Sequence, residues 1–172
     1  MKIKQIKTFT FDELTDLAKD RALNQFRYVN VEYFDWYHSV YYDAERIGIK
    51  ITGFDIDRGS YCTGKFLSTH WSIDVANKIM EEHGEDCETY KIAEKFLQDY
   101  NNLPDYEDDI LAEIQEVSEL EGEFLNDILE EYLTILKNEF EYHTSDDAVS
   151  EWILNNDYIF DEDGNEIEHQ LA

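Results

Sequence analysis

"DYEDDILAEIQEVSELEGEFLNDILEE", residues 105–131, holds twelve acidic residues and no basic one. Its apolar positions decide how the chain folds. Ile110, Ile114, Val117, Phe124, Ile128, Tyr132 and Ile135 keep helical spacing through the following "LTILKNEF", with one slot of the series filled by Glu121. The spacing predicts one long amphipathic helix over 106–142. Gly122 is the point at which it can kink or split, because glycine costs about 1 kcal/mol relative to alanine inside a helix.

The acids make a stripe of their own. Asp109, Glu113, Glu116, Glu119, Glu123, Asp127 and Glu130 follow one another by three or four residues, with Glu131 next to the last. Like charges at that spacing cost about 0.2–0.5 kcal/mol per pair, so the six successive pairs cost about 1–3 kcal/mol. Stability alone therefore does not explain the pattern, and the expected explanation is a partner. At 1.5 Å per residue the 27 residues span about 40 Å. Twelve charges over that length average roughly one per 3.4 Å, the phosphate spacing along one strand of B-DNA. Carboxylates and phosphates both accept paired hydrogen bonds from arginine. The stripe from Asp109 to Glu131 is thus the candidate partner-binding surface. Asp146, Asp147, Asp161, Glu162 and Asp163 form a secondary candidate in the acidic tail. A solvated face that serves only solubility is the competing explanation.

Working outward, "DELTDLAKDRALNQFRYV" predicts a helix with Leu14, Leu17, Ala18, Ala22 and Phe26 on one face and a Thr10/Glu13 capping box. "VEYFDWYHSVYYDAERIG" predicts a second, with Tyr33, Trp36, Tyr37, Val40, Tyr41, Ala44 and Ile47 inward, Phe34 and Tyr42 off that face, and Gly48 as its cap. The period then changes to two. "IKITGFDI" and "YCTGKFLSTHWSI" read as strands joined by "DRGS". "DVANKIMEEHG", "ETYKIAEKFLQDYNN" and "SDDAVSEWILNND" read as helices, the last capped by Ser145. "MKIKQIKTFTF" reads as a short edge strand and "YIFDEDGNEI" as a strand and turn. The expected fold is α+β, a small antiparallel sheet packed by five or six helices in a single domain.

Charge divides the chain unevenly. The formal net charge is −27. Residues 1–95 carry 13 Lys/Arg against 17 Asp/Glu, and residues 96–172 carry only Lys137 against 24 acids. Such a surface repels nucleic-acid phosphates and anionic membranes and attracts basic proteins. The two cysteines, Cys62 and Cys87, with no apolar leader in the N-terminal residues and no apolar run of membrane length, point to a reducing cytoplasm.

Chemistry-bearing patterns are weak. Cys62, His70 and Asp74 lack a diagnostic spacing, and Asp55/Asp57 sit before a turn. "DEDGNE" departs from a calcium loop, with Gly164 fourth rather than sixth and Ala172 at the twelfth place. Histidines 38, 70, 83, 143 and 169 show no zinc-like pairing, and no glycine loop suits a phosphate. No catalytic residue, metal or cofactor is expected.

The blocks "ELTDLAKDRAL", "DWYHSVYYDAERIGI", "ITGFDIDRGSYCTGKF" and "FEYHTSDDAVSEWILNNDYIFDEDG" cover a little over a third of the chain. Through them it resembles a group of small acidic phage and prophage proteins named as antitoxins of a toxin–antitoxin stability system. The middle, about 67–138, departs from that group, which carries a strand-rich segment there. The resemblance implies a phage-type genome context. An anionic phage protein without a catalytic motif looks like the antirestriction and anti-CRISPR inhibitors, many of which imitate DNA. The expected partner is a basic nucleic-acid-binding protein or ribonucleoprotein of host defence. The alternatives are an antitoxin covering a basic toxin, and a small enzyme using Cys62 or Asp55/Asp57.

Overall fold

The computed structural model describes residues 7–67, 71–104 and 110–167. It is α+β, and its contacts divide the chain into two compact units, residues 1–36 with 139–172 and residues 37–138. The division does not follow the charge step at 95/96. The first unit holds six Lys/Arg and 17 Asp/Glu, net −11, and the second holds eight and 24, net −16.

In the first unit, strand β1 (Phe9–Thr10) pairs antiparallel with β4 (Ile159–Phe160). Residues 1–6 of the expected edge strand lie outside the described residues. A 3-10 turn, Phe11–Glu13, follows β1, and the Glu13 carboxylate reaches back to the Thr10 N–H at 2.9 Å. Helix α1 (Asp16–Phe26) starts later than the apolar pattern suggests, because Thr15 takes the cap by accepting from the Ala18 N–H at 3.4 Å. Leu14 is buried from the preceding turn, whereas Leu17 is turned outward, 73% exposed, against expectation. Phe11, Leu14, Ala18, Ala22 and Leu23 pack with Val149 and Ile153 of α7 (Asp146–Asn155) and with Phe160. Ser145 caps α7 by accepting from the Ala148 N–H at 3.3 Å. Gly164 turns the chain at φ +83°, where a Cβ would lie 2.1 Å from the Ala18 carbonyl oxygen.

The expected second helix is two. Helix α2 (Val29–Glu32) ends, and α3 (His38–Ile47) begins after an irregular stretch. The aromatic run serves two cores. Trp36 meets Phe140 at 5.7 Å in the first unit, while Tyr37 meets Phe54 at 5.5 Å in the second. One helical face does not supply both. Phe34 and Tyr42 are exposed, as their off-face positions suggest, whereas Tyr33, expected inward, is 76% exposed because α2 ends before it.

In the second unit α3 stops at Gly48, whose φ of +98° makes the left-handed cap. Strand β2 (Ile49–Asp55) pairs antiparallel with β3 (Tyr61–Phe66), with a bulge between Ile51 and Gly53. Helix α4 (Ser72–Glu82) packs on α5 (Glu88–Asn101). The core joins Val40, Ala44 and Ile47 to Ile49, Ile79, Phe96 and the inward face of helix α6 (Ile110–His143), whose last turn belongs to the first unit. Phe96 and Phe124 stack at 4.3 Å. Gly64 lets β3 approach α6: a Cβ there would sit 2.8 Å from Leu129 and 2.9 Å from the Lys50 carbonyl oxygen. Helix α6 runs unbroken through Gly122, so the helix does not split there, and the glycine carries its propensity cost. No helix among the described residues is long and apolar enough to cross a membrane.

Candidate functional site: the acidic stripe of the long helix

Phe124, Ile128, Leu129, Tyr132 and Leu136 bury the inner face of α6. At about 100° per residue, Glu113, Glu116, Glu119, Glu123, Asp127 and Glu130 fall within a sector of about 120° away from that face. The first four and Glu130 are exposed, and Asp127 is half-buried. Asp109 lies outside the described residues. The stripe therefore exists as an outward ridge, in the second unit alone.

Its density is lower than the sequence average suggests. Glu121 occupies the core-facing slot and accepts a hydrogen bond from the Ser72 hydroxyl at 2.5 Å, which explains an acid in the apolar series. Glu131 is half-buried, and burial, then the nearby Glu88, push its carboxyl up against the opposing pull of Lys91. With those two turned aside, six carboxylates from Glu113 to Glu130 occupy about 26 Å of helix, roughly one per 5 Å. Within the ridge the Gln115 amide donates to Glu119 at 2.9 Å.

The ridge is also graded along its length. Lys91 and Lys95 of α5 line the same grooves as Glu123, Asp127, Glu130 and Glu131. Lys91 is drawn to Glu88 at 3.1 Å. The C-terminal half of the ridge thus shares its grooves with two cations. Glu113, Glu116 and Glu119 do not line those two grooves. On the other side of the same segment Ile110 and Ile114, whose spacing predicts burial, are 68% and 60% exposed, and Leu111 is 81% exposed. The apolar stripe of α6 extends beyond the core that buries its C-terminal part.

The secondary acids, all in the first unit, are largely engaged within the chain. Asp146 pairs with Arg27 at 2.5 Å, and the same guanidinium donates to the Thr144 carbonyl at 2.9 Å. Asp163 faces Arg21 at 3.4 Å. Asp161 ties its own turn, accepting from the Asn165 N–H at 2.9 Å and the Asp163 N–H at 3.0 Å, and the Asn165 bonds hold its carboxyl below the usual range. The "DEDGNE" stretch is thereby a self-bonded turn. Asp147 and Glu162 are exposed.

The weighed catalytic residues that the structure describes each sit in local contacts of their own. Cys62 lies in β3, with its thiol pushed up to about 11 by burial, which opposes thiolate formation. Asp74 is in the first turn of α4 and accepts from the Trp71 N–H at 3.4 Å, and His70 is outside the described residues. Asp55 accepts from the Asp57 N–H at 2.8 Å, an Asx turn within the hairpin.

A polar cluster that sequence spacing did not reveal lies inside the second unit. The Tyr132 hydroxyl donates to Asp43 at 2.9 Å, and burial, then Asp43, raise the phenol well above its ordinary range. His83, whose side chain is 10% exposed, sets Nδ1 2.7 Å from the Thr89 hydroxyl and Nε2 3.5 Å from Asp43. That last separation is too long for a good hydrogen bond, so Nε2 has no close partner and the contact is electrostatic. His83 first, then Tyr132 and Arg46, hold the Asp43 carboxyl below its usual range against the effect of burial. Arg46 also pairs with Glu82 at 2.6 Å. The cluster draws residues from α3, α4, α5 and α6, far apart in sequence.

Comparison with protein-family models, curated proteins and solved structures finds no match for this chain. The likeness to the phage group therefore rests on the quoted blocks.

Proposed function

We propose that the chain is a phage-encoded inhibitor of a host nucleic-acid-binding defence complex, of the anti-CRISPR or antirestriction type, acting without catalysis. The α6 ridge occupies the cationic channel that normally holds DNA or RNA. The observation that carries this reading is the exposure of Glu113, Glu116, Glu119 and Glu123 along one side of an unbroken helix, at a cost in like-charge repulsion. The exposed Ile110, Leu111 and Ile114, which continue the inward apolar face of α6 beyond the core, support a protein partner that covers this end of the helix. The ridge presents about one carboxylate per 5 Å, so the mimicry is of charge and rod shape rather than of phosphate register.

The test uses bacterial strains that each carry one CRISPR or restriction system. Phage challenge is scored with the wild-type chain and with Glu113→Lys/Glu116→Lys/Glu123→Lys/Asp127→Lys. Protection of the phage by the wild type and its loss in the folded variant support the reading, and full inhibition by that variant refutes it. An antitoxin would instead restore growth to a toxin-expressing host without affecting any defence system.

A further inference from the structure

The first unit contains a cleft of about 430 Å³ that the ridge reading does not use. Its size suits a small ligand or one large side chain. Phe26, Trp152 and Tyr158 form an aromatic wall, with ring centroids 4.7 Å (Phe26–Tyr158), 5.0 Å (Trp152–Tyr158) and 5.5 Å (Phe26–Trp152) apart. Tyr33 adds an exposed ring at the rim, and Glu32 and Glu166 add two carboxylates. The Glu166 N–H donates to the Gln25 side-chain oxygen at 3.3 Å, which ties that lip of the cleft to α1. Burial, then Glu166 and Tyr33, push the Tyr158 phenol up, consistent with these groups sharing one site.

Aromatic faces attract cations, and they do so more strongly where water is displaced. The two carboxylates narrow the class of cation. A quaternary ammonium has no N–H to give them. A guanidinium stacks its plane on a ring and forks two N–H groups onto a carboxylate, whereas an ammonium does only the second as a point charge. The surrounding unit is net −11, so an anionic or neutral occupant gains less from the field. We infer that this cleft receives an arginine side chain presented by a basic partner protein, with Phe26, Trp152 and Tyr158 as the stacking wall and Glu32 and Glu166 as acceptors. The inference does not rest on the ridge, because the cleft lies wholly within the other unit.

The experiment titrates the full chain with a capped five-residue peptide carrying one central arginine. The shift of the Trp152 indole N–H is the readout, assigned with Trp152→Phe. Parallel titrations use the same peptide with lysine or citrulline, and the free guanidinium ion. The arginine peptide should bind at least tenfold tighter than the citrulline and lysine peptides and the free ion. Glu32→Gln/Glu166→Gln should weaken it at least tenfold, and Tyr33→Ala, at an exposed ring, should weaken it without loss of fold. Equal binding of the citrulline peptide, unchanged affinity in the double glutamine variant, or no saturable shift with the arginine peptide overturns the assignment. A preference for lysine overturns the guanidinium, and equal binding of the free ion overturns the partner side chain as its source.

Discussion

Glu119→Lys should stabilise the second unit while removing part of its proposed interface. Glu119 faces Glu116 one turn before it and Glu123 one turn after it. Each like-charge pair costs about 0.2–0.5 kcal/mol, and each opposite pair returns a similar amount. Reversing two pairs is worth about 0.8–2 kcal/mol. The exposed bond from the Gln115 amide, 2.9 Å long, is lost and subtracts about 0.5 kcal/mol. A net gain of about 0.3–1.5 kcal/mol is expected at low salt, shrinking sharply at 1 M salt, where the screening length is about 3 Å. The assay is native-state hydrogen exchange of the α6 amides between 110 and 138, which reads this unit without assuming that the whole chain unfolds together. Glu119→Gln keeps a neutral side chain there and should give about half the gain. A neutral or destabilising Glu119→Lys at low salt would refute the claim that these carboxylates stand side by side on a continuous helix.

Three further outcomes follow from the packing. Gly122→Ala should stabilise α6 by about 1 kcal/mol in the same exchange measurement, because a Cβ there meets nothing within 4 Å. Gly64→Ala should do the reverse and lower the thermal midpoint of the second unit clearly. Its Cβ would press on the Lys50 carbonyl at 2.9 Å, and strand backbone cannot swing away as a side chain does. Asp43 gives a pH test. Its folded-state pKa is below the ordinary 3.8, so its contribution is full above that value and is lost as pH falls through the lower one. Asp43→Asn should therefore lower stability at pH 7 and flatten the loss between pH 4 and more acid conditions, as read by urea unfolding at each pH.

Helices with a complete local signal were legible in the sequence. Ser145 before two acids announces α7, and Gly48 after Ile47 announces the end of α3, because each cap is chosen by backbone chemistry within a few residues. The β2–β3 pairing shows in its period. Boundaries set by tertiary demand were not legible. Leu14 and Leu17 look alike in a helical count, yet Thr15 starts α1 between them, and only Leu14 is covered. The break between α2 and α3 arises because Trp36 and Tyr37 join different cores. At the candidate site, the one-sided exposure of the ridge follows from helical geometry. The inward turn of Glu121 depends on Ser72, 49 residues away, and the placing of Lys91 and Lys95 in the groove of Asp127 and Glu130 depends on where α5 packs. The arginine cleft is less legible still, since Phe26 and Trp152 meet across most of the sequence.

The central claim is that the α6 ridge and a nucleic acid compete for one cationic surface. The most direct measurement takes a purified defence complex that the chain inhibits and titrates the chain into that complex preloaded with fluorescent DNA or RNA. The account predicts full displacement of the nucleic acid, weaker as salt rises, and none by the Glu113→Lys/Glu116→Lys/Glu123→Lys/Asp127→Lys variant. A stable ternary complex of chain, target and nucleic acid, or displacement undiminished by the four reversals, would contradict it.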